Sequence, residues 1–235
     1  MTSSIQSIKK QKKTEYNMDV ILKNFVRECN NTSDINEHLP TLYKYARDSE
    51  SVFETGVRGC VSSWAILFGL MNNNKSKKRM LMNDIDACNI TQLLDAVNLL
   101  PPGQIDVGYI WKNNLQLELN ETFDMTFIDT WHVYGQLKRE LAKFAPITNK
   151  YILLHDTTVD KIYGETIRGG LDAAKQSLQS GFPVDEILCG LGRAVDEFLA
   201  ANPKWILLTE YTNNNGLTVL ERVEFENENE NENEN

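Results

Sequence analysis

The chain has 235 residues, 41% of them hydrophobic, which is enough to bury one full core without disulfide or metal support. Its formal charge is -9, of which the six glutamates of the terminal Glu/Asn repeat supply -6 and Lys9, Lys10, Lys12 and Lys13 supply +4, leaving -7 in the body. A body of that sign argues against a nucleic-acid partner, and the absence of a long apolar run argues against a membrane span.

The polar N-terminus lacks the apolar stretch of a secretory signal, so a cytoplasmic protein is expected. Cys29, Cys60, Cys88 and Cys189 are widely spaced, which excludes a CxxC zinc pattern and reads as free thiols. Three parts are expected: a basic, flexible segment over 1–13, a single domain over 14–223, and a disordered, solubilising Glu/Asn tail over 224–235 that has too little apolar surface to offset its ordering entropy.

Within the domain, Ser33 or Asp34 can cap a helix that carries Leu39, Leu42, Tyr43 and Ala46 at helical spacing. Residues 51–54 read as a strand, the Gly56 to Gly59 stretch as a turn, and 62–71 as an apolar helix. Residues 79–83 form the next predicted strand, ending at Asp84. Ile90, Leu93, Leu94 and Val97 then share one helical face, which Pro101-Pro102-Gly103 stops. Residues 105–110 and 123–128 are the third and fourth predicted strands, and the fourth runs into Asp129.

Tyr134, Leu137, Leu141 and Phe144 recur at three and four residues and predict an amphipathic crossover helix. Residues 151–154 are a buried strand ending at His155-Asp156. The glycine-interrupted stretch 157–183 reads as loop and short helix with lid character. Ala194, Val195, Phe198 and Leu199 mark a last helix, followed by strands over 205–211 and 217–223 joined by a turn whose Asn215-Gly216 pair suits positive φ. Strands alternating with helices predict an α/β sheet, mostly parallel, with helices on both faces and one antiparallel strand from the hairpin.

In such a sheet, acids at adjacent strand ends converge on a crevice, so Asp129 and Asp156, each beside a histidine, mark a candidate site. The turn Glu54-Thr55-Gly56-Val57-Arg58-Gly59 has neither the three glycines of a dinucleotide site nor a Walker lysine. It resembles motif I of the class I S-adenosylmethionine-dependent methyltransferases, in which an acid-x-Gly turn holds the methionine part of the cofactor. The likeness continues in Asp84, at the place of the ribose-binding acid, and in the terminal hairpin, and it spans about Ser33 to Val223. It implies a Rossmann-like seven-stranded sheet, with Glu54, Gly56, Ser62, Asp84, Asp129 and Trp131 on the cofactor and Trp131 against the adenine.

Among these families the chain is similar to small-molecule O-methyltransferases of the catechol O-methyltransferase and sugar O-methyltransferase types. By position, Asp129-Thr130-Trp131-His132 replaces an Asp-His-Trp-Lys segment, so His132 takes the place of the lysine base. His155-Asp156 replaces a metal-binding Asp-Asn pair. The resemblance implies Mg2+ or another divalent ion on Asp129 and Asp156, with His155 and Asp156 at the substrate, although a histidine is a poor magnesium ligand.

The neutral form of an imidazole can take a hydroxyl proton at neutral pH, which makes His132, with Asp129, the expected catalytic pair. The expected acceptor is a small molecule, a sugar or sugar nucleotide first, with a homo-oligomer compatible with the sequence. Arg58 and Lys161 are candidates for an acidic group on it, and His38 reads as structural. Two other readings stay open: a metal-dependent cephalosporin-hydroxylase-like enzyme, in which His155, Asp156 and Asp129 would hold iron, and a non-catalytic cofactor-binding relative.

Overall fold

A computed structural model describes residues 18–223; the basic segment 1–13 and the Glu/Asn tail 224–235 lie outside the described residues. The chain runs as a helix α1 over 18–30, α2 (Leu39–Arg47), β1 (Ser51–Thr55), α3 (Val61–Met71), β2 (Arg79–Asp84), α4 (Thr91–Asn98), β3 (Asp106–Trp111), β4 (Phe123–Ile128), α5 (Tyr134–Phe144) and β5 (Thr148–His155). Three short helices follow, α6 (Glu165–Arg168), α7 (Ala173–Ser180) and α8 (Val184–Leu188), then α9 (Leu191–Ala201), β6 (Trp205–Tyr211) and β7 (Leu217–Arg222).

The seven strands form one sheet in the order β3-β2-β1-β4-β5-β7-β6. Only β7 runs against its neighbours, pairing antiparallel with both β5 and β6. The chain starts in the middle at β1, builds outward to β3, and then crosses to β4 on the other side of β1. The carboxyl ends of β1 and β4, paired through Thr55 and Ile128, are therefore the point where the topology reverses and a crevice opens.

β1 and β4 are buried on both faces because helices cover both sides. One core joins α2 and α3 to the sheet around Trp64, Ile66, Leu70, Met80 and Phe127. The other joins α5 and α9 to the opposite face around Phe53, Leu137, Phe144, Phe198 and Trp205. The aligned apolar stripe of α5, Tyr134, Leu137, Leu141 and Phe144, is buried, as its spacing requires. No helix among the described residues is long and apolar enough to cross a membrane.

Two sequence expectations change. The helix α1, whose Ile21 is buried and whose Phe25 stacks on Phe68 at 5.1 Å, was not anticipated. Ser33 and Asp34 do not cap α2, which begins at Leu39 after a 3-10 turn over Asn36–His38. Instead the 33–38 loop is stitched to the β6–β7 hairpin: Asn214 Nδ2 donates to the Ser33 carbonyl, Glu37 N–H donates to Asn214 Oδ1, and His38 Nε2 meets the Asn213 carbonyl at 2.9 Å. The hairpin takes positive φ at Asn214, Asn215 and Gly216 (45, 70 and 99°), in keeping with the Asn-Gly signal.

Candidate active site

The turn after β1 is built from backbone in the left-handed region, with Gly56 at φ 91°, Arg58 at 42° and Cys60 at 61°. A Cβ on Gly56 would lie 1.7 Å from the Asp129 carbonyl oxygen, so only glycine lets the β1 turn close against the chain leaving β4. Asp84 Oδ2 accepts the N–H groups of Val57 (2.8 Å) and Arg58 (2.9 Å), and Oδ1 accepts that of Asp86 (2.9 Å). Burial pushes the Asp84 carboxyl up, but these donors prevail and hold it below its ordinary range.

Glu54 is tied to the start of α3. It is fully buried, and its two oxygens accept the hydroxyls of Ser62 (2.5 Å) and Ser63 (2.7 Å) at the start of α3. Burial raises its carboxyl to about 7 against those hydrogen bonds. The Ser62 hydroxyl thus donates to Glu54, while Ser62 itself lies on the wall of the crevice.

Across the crevice, β4 and β5 bring Asp129, His132, His155 and Asp156 together. His132 Nε2 lies 3.1 Å from Asp129 Oδ1, while its Nδ1 lies 2.9 Å from Glu165 Oε2, 3.1 Å from Asp156 Oδ2 and 3.6 Å from Asp160 Oδ2. None of the three carboxylates around Nδ1 is aligned for a hydrogen bond, and Asp156 Oδ1 also has no partner. His155 Nδ1 lies 3.3 Å from both Asp129 Oδ1 and Asp156 Oδ2, and its Nε2 lies 3.1 Å from the Asp34 carbonyl.

Burial opposes charge on these imidazoles, but the surrounding carboxylates prevail: His132 is held well above the ordinary histidine range, and His155 is raised to about 10. Asp129 is driven the other way, well below the usual carboxylate range, by its hydrogen bonds from His132 and His155 acting against burial.

Glu165, Asp160 and Arg168 were not singled out from the sequence. Glu165 brackets His132, its N–H donating to the His132 carbonyl (3.0 Å) and its Oε2 accepting the His132 N–H (3.2 Å). Arg168 donates twice, at 2.8 Å each, to the fully buried Asp160. Of the remaining candidates, Arg58 pairs with Asp34 at 2.8 Å on the rim, Lys161 pairs with Glu210 at 2.7 Å on the surface, and His38 is buried against the hairpin carbonyls.

Carboxylates and imidazoles crowd together at the ends of β4 and β5. Asp129 Oδ1 and Asp156 Oδ2 each face two imidazoles, and the position of the second acid is taken by His155. His155 is a poor ligand for Mg2+, which prefers oxygen, so the oxygens available to such an ion here are those of Asp129 and Asp156. A mixed set of Asp129, His132 and Asp156 has ligand atoms within 4.8 Å of one another, as does His132 with Asp160 and Glu165.

Two adjoining cavities of about 630 Å³ each share Gly56, Asp84, Ile85, Thr130, Trp131 and Glu165. One extends over Asp129, His132 and Asp156; the other runs toward Asn113, Leu115, Gln176 and Phe182. Trp131 stands between them, stacked on Phe182 at 5.9 Å, with its Nε1–H unpartnered. Beneath the second cavity Glu140 Oε1 accepts from Thr130, Asn114 and Gln136, fixing the loop after β4 from below.

The crevice lies at the β1/β4 reversal, and the reversed β7 is inserted between β5 and the edge strand β6. The fold is that of the class I methyltransferases. An O-methyltransferase from Bacillus cereus in complex with S-adenosylhomocysteine superposes at a TM-score of 0.53 with 16% identity, covering 88% of this chain and 90% of that one. The O-methyltransferase TomG from Streptomyces achromogenes, involved in tomaymycin synthesis and solved with S-adenosylmethionine, gives 0.52, 13%, 87% and 90%.

The N-methyltransferase NodS from Bradyrhizobium japonicum, with S-adenosylhomocysteine, gives 0.52, 10%, 87% and 99%. No family model and no curated protein matches the sequence. Both O- and N-methyltransferases share the class I methyltransferase fold, so the acceptor has to be argued from side chains.

Proposed function

We propose that the chain is an S-adenosylmethionine-dependent O-methyltransferase whose acceptor is a small polyhydroxyl molecule, a sugar first. The observation that carries this reading is His132, held between Asp129 and Glu165 at the mouth of a cavity that begins at the tethered Gly56 turn. S-Adenosylmethionine, when bound, supplies a sulfonium methyl group that a nearby oxygen can displace in line.

The chain's residues divide the remaining work. Asp84 orders the turn and presents its carboxylate on the wall shared by both cavities, where ribose hydroxyls can donate to it. Trp131 lines both cavities and offers a flat apolar surface against which a heterocycle can pack. His132 in its neutral form takes the acceptor's proton as the new C–O bond forms, with Asp129 and Glu165 stabilising the resulting imidazolium. The carboxylate ring favours the charged ring beforehand, so the reaction draws on the neutral fraction.

The catalytic-side cavity is lined by Asp34, Asp84, Asp86, Asp129, Asp156 and Glu165, with Arg58 as its one lysine or arginine among the described residues. Like charges at that density repel a diphosphate, which favours a free or glycosidic sugar over a sugar nucleotide. Calorimetry with S-adenosylhomocysteine, followed by methyl transfer to paired sugars and sugar nucleotides, tests both parts. Absence of binding sinks the methyltransferase reading; preference for the nucleotide sinks the acceptor assignment.

A further inference from the structure

We propose that Glu140 is a positioning residue: through Thr130 and Asn114 it holds two walls of the second cavity in register, the loop after β4 and the turn after β3. Its Oε1 accepts the hydroxyl of Thr130 at 2.6 Å, Asn114 Nδ2 at 2.5 Å and Gln136 Nε2 at 2.7 Å. Asn114 Nδ2 also donates to Thr55 Oγ1 at 2.9 Å, and Thr55 Oγ1 donates to Asn83 Oδ1 at 2.9 Å. Asn83 Nδ2 in turn donates to the carbonyls of Ile110 (2.9 Å) and Lys112 (2.8 Å). One carboxyl oxygen thus gathers the ends of β1, β2, β3 and β4 into a single network.

The sequence places this grip on one face of α5, where Gln136, Glu140 and Lys143 recur at four and three residues beside the apolar stripe. Lys143 Nζ adds a bond to the Leu115 carbonyl at 3.1 Å. The turn it grips, Asn114–Gln116, is a single 3-10 turn, too short to fix its own position. Glu140 is 1% exposed, and an acid is costly to bury unless its hydrogen bonds are made. An apolar side chain would fill the same space; what the acid adds is one oxygen that takes three donors. Thr55, Asn83, Asn114, Thr130 and Gln136 all line the second cavity, with Glu140 behind them, so the acid acts through its partners. That the cofactor fills this cavity rests on the methyltransferase reading.

Glu140→Gln keeps a carbonyl oxygen for the same donors, whereas Glu140→Leu fills the space without an acceptor. In the full-length protein the indole N–H NMR signal of Trp131, the residue after Thr130, is expected to stay in place with glutamine and to move with leucine. S-Adenosylhomocysteine affinity by calorimetry should stay within ~3-fold of the parent for Glu140→Gln and fall at least ~10-fold for Glu140→Leu. In Glu140→Leu the KM for S-adenosylmethionine should rise with kcat within ~3-fold of the parent, because the lost network serves binding and not the transfer step. Thr130→Val removes one arm at nearly constant shape and carries the test if Glu140→Leu does not fold: the Trp131 signal should move, with affinity ~3-fold weaker.

A Trp131 signal unmoved by Glu140→Leu and Thr130→Val overturns the proposal, as does a signal displaced as far by Glu140→Gln as by Glu140→Leu. A folded Glu140→Leu protein with parental S-adenosylhomocysteine affinity, or with kcat lost and KM unchanged, overturns it too. If the parent itself does not bind S-adenosylhomocysteine, the methyltransferase reading falls alone, and the Trp131 signal still decides the role of Glu140.

Discussion

The two walls of the crevice hold their carboxylates in opposite ways. On the β1–β2 side, Glu54 and Asp84 face the chain's own hydroxyls and backbone N–H groups, so the acids fix the shape of a turn. On the β4–β5 side, Asp129, Asp156 and Glu165 face imidazoles, so the acids fix where protons reside. Strand-end acids are thus not one class of residue. The partner type separates a scaffold from the proposed reaction centre, and variants on each wall should fail differently.

The largest effect is expected on the scaffold wall. Gly56→Ala places a Cβ inside the Asp129 carbonyl at a positive φ, and should cost about 4 kcal/mol in urea unfolding, with loss of S-adenosylhomocysteine binding. Unchanged stability would mean that the β4 loop can back away from the turn, and that the two walls are independent.

Glu54→Gln comes next and acts through pH. The folded protein holds the Glu54 proton up to about 7, against 4.5 for an unconstrained glutamate, so protonation favours the folded state. That stability, about 3 kcal/mol, is complete below pH 4.5 and is lost as the pH rises through about 7. Glutamine keeps the shape without the titration, so the slope of unfolding free energy over this window should flatten in the variant. An identical slope in parent and variant would remove Glu54 as its source.

On the reaction wall, His132→Ala should lower methyl transfer by ~10²-fold or more, while S-adenosylhomocysteine affinity stays within a few-fold. In the parent protein the ascending limb of the turnover profile should lie above pH 6.5, because a base must be deprotonated to act and the surrounding carboxylates raise this one. A limb at or below 6.5, or turnover preserved in the variant, assigns proton removal to another group.

The strands were readable because each is a short apolar run bounded by turn residues, and β4 and β6 keep the boundaries that their sequences suggest. The Asn215-Gly216 turn was equally plain. The direction of Glu54 was not, since β1 is buried on both faces and alternation carries no information about which face meets the ligand. α1 was missed although Ile21, Phe25 and Cys29 recur at four-residue spacing, because the polar residues around them obscure the stripe.

The partners of His132 were the least legible part of the site. Asp160, Glu165 and Arg168 fall in a glycine-broken stretch with no periodicity; the turn after β5 brings Asp160 to the histidine, α6 brings Glu165, and Arg168 reaches Asp160. Asp34 was noticed as a helix cap, whereas its carbonyl holds His155 and its carboxylate holds Arg58.

The stitching of the 33–38 loop to the hairpin has a consequence for how the molecule assembles. Ser33 and Asn214 are 181 positions apart in the chain, and the loop they fix contains the carbonyl that positions His155. Contacts of such long sequence separation require costly loop closure and depend on β7 being paired. The half of the sheet from β1 to β4 can therefore collapse early, while the acid–imidazole wall takes its final form only when the hairpin docks. A partly folded chain would then already have the shape of a binding crevice while His155 still lacked the Asp34 carbonyl that meets its Nε2.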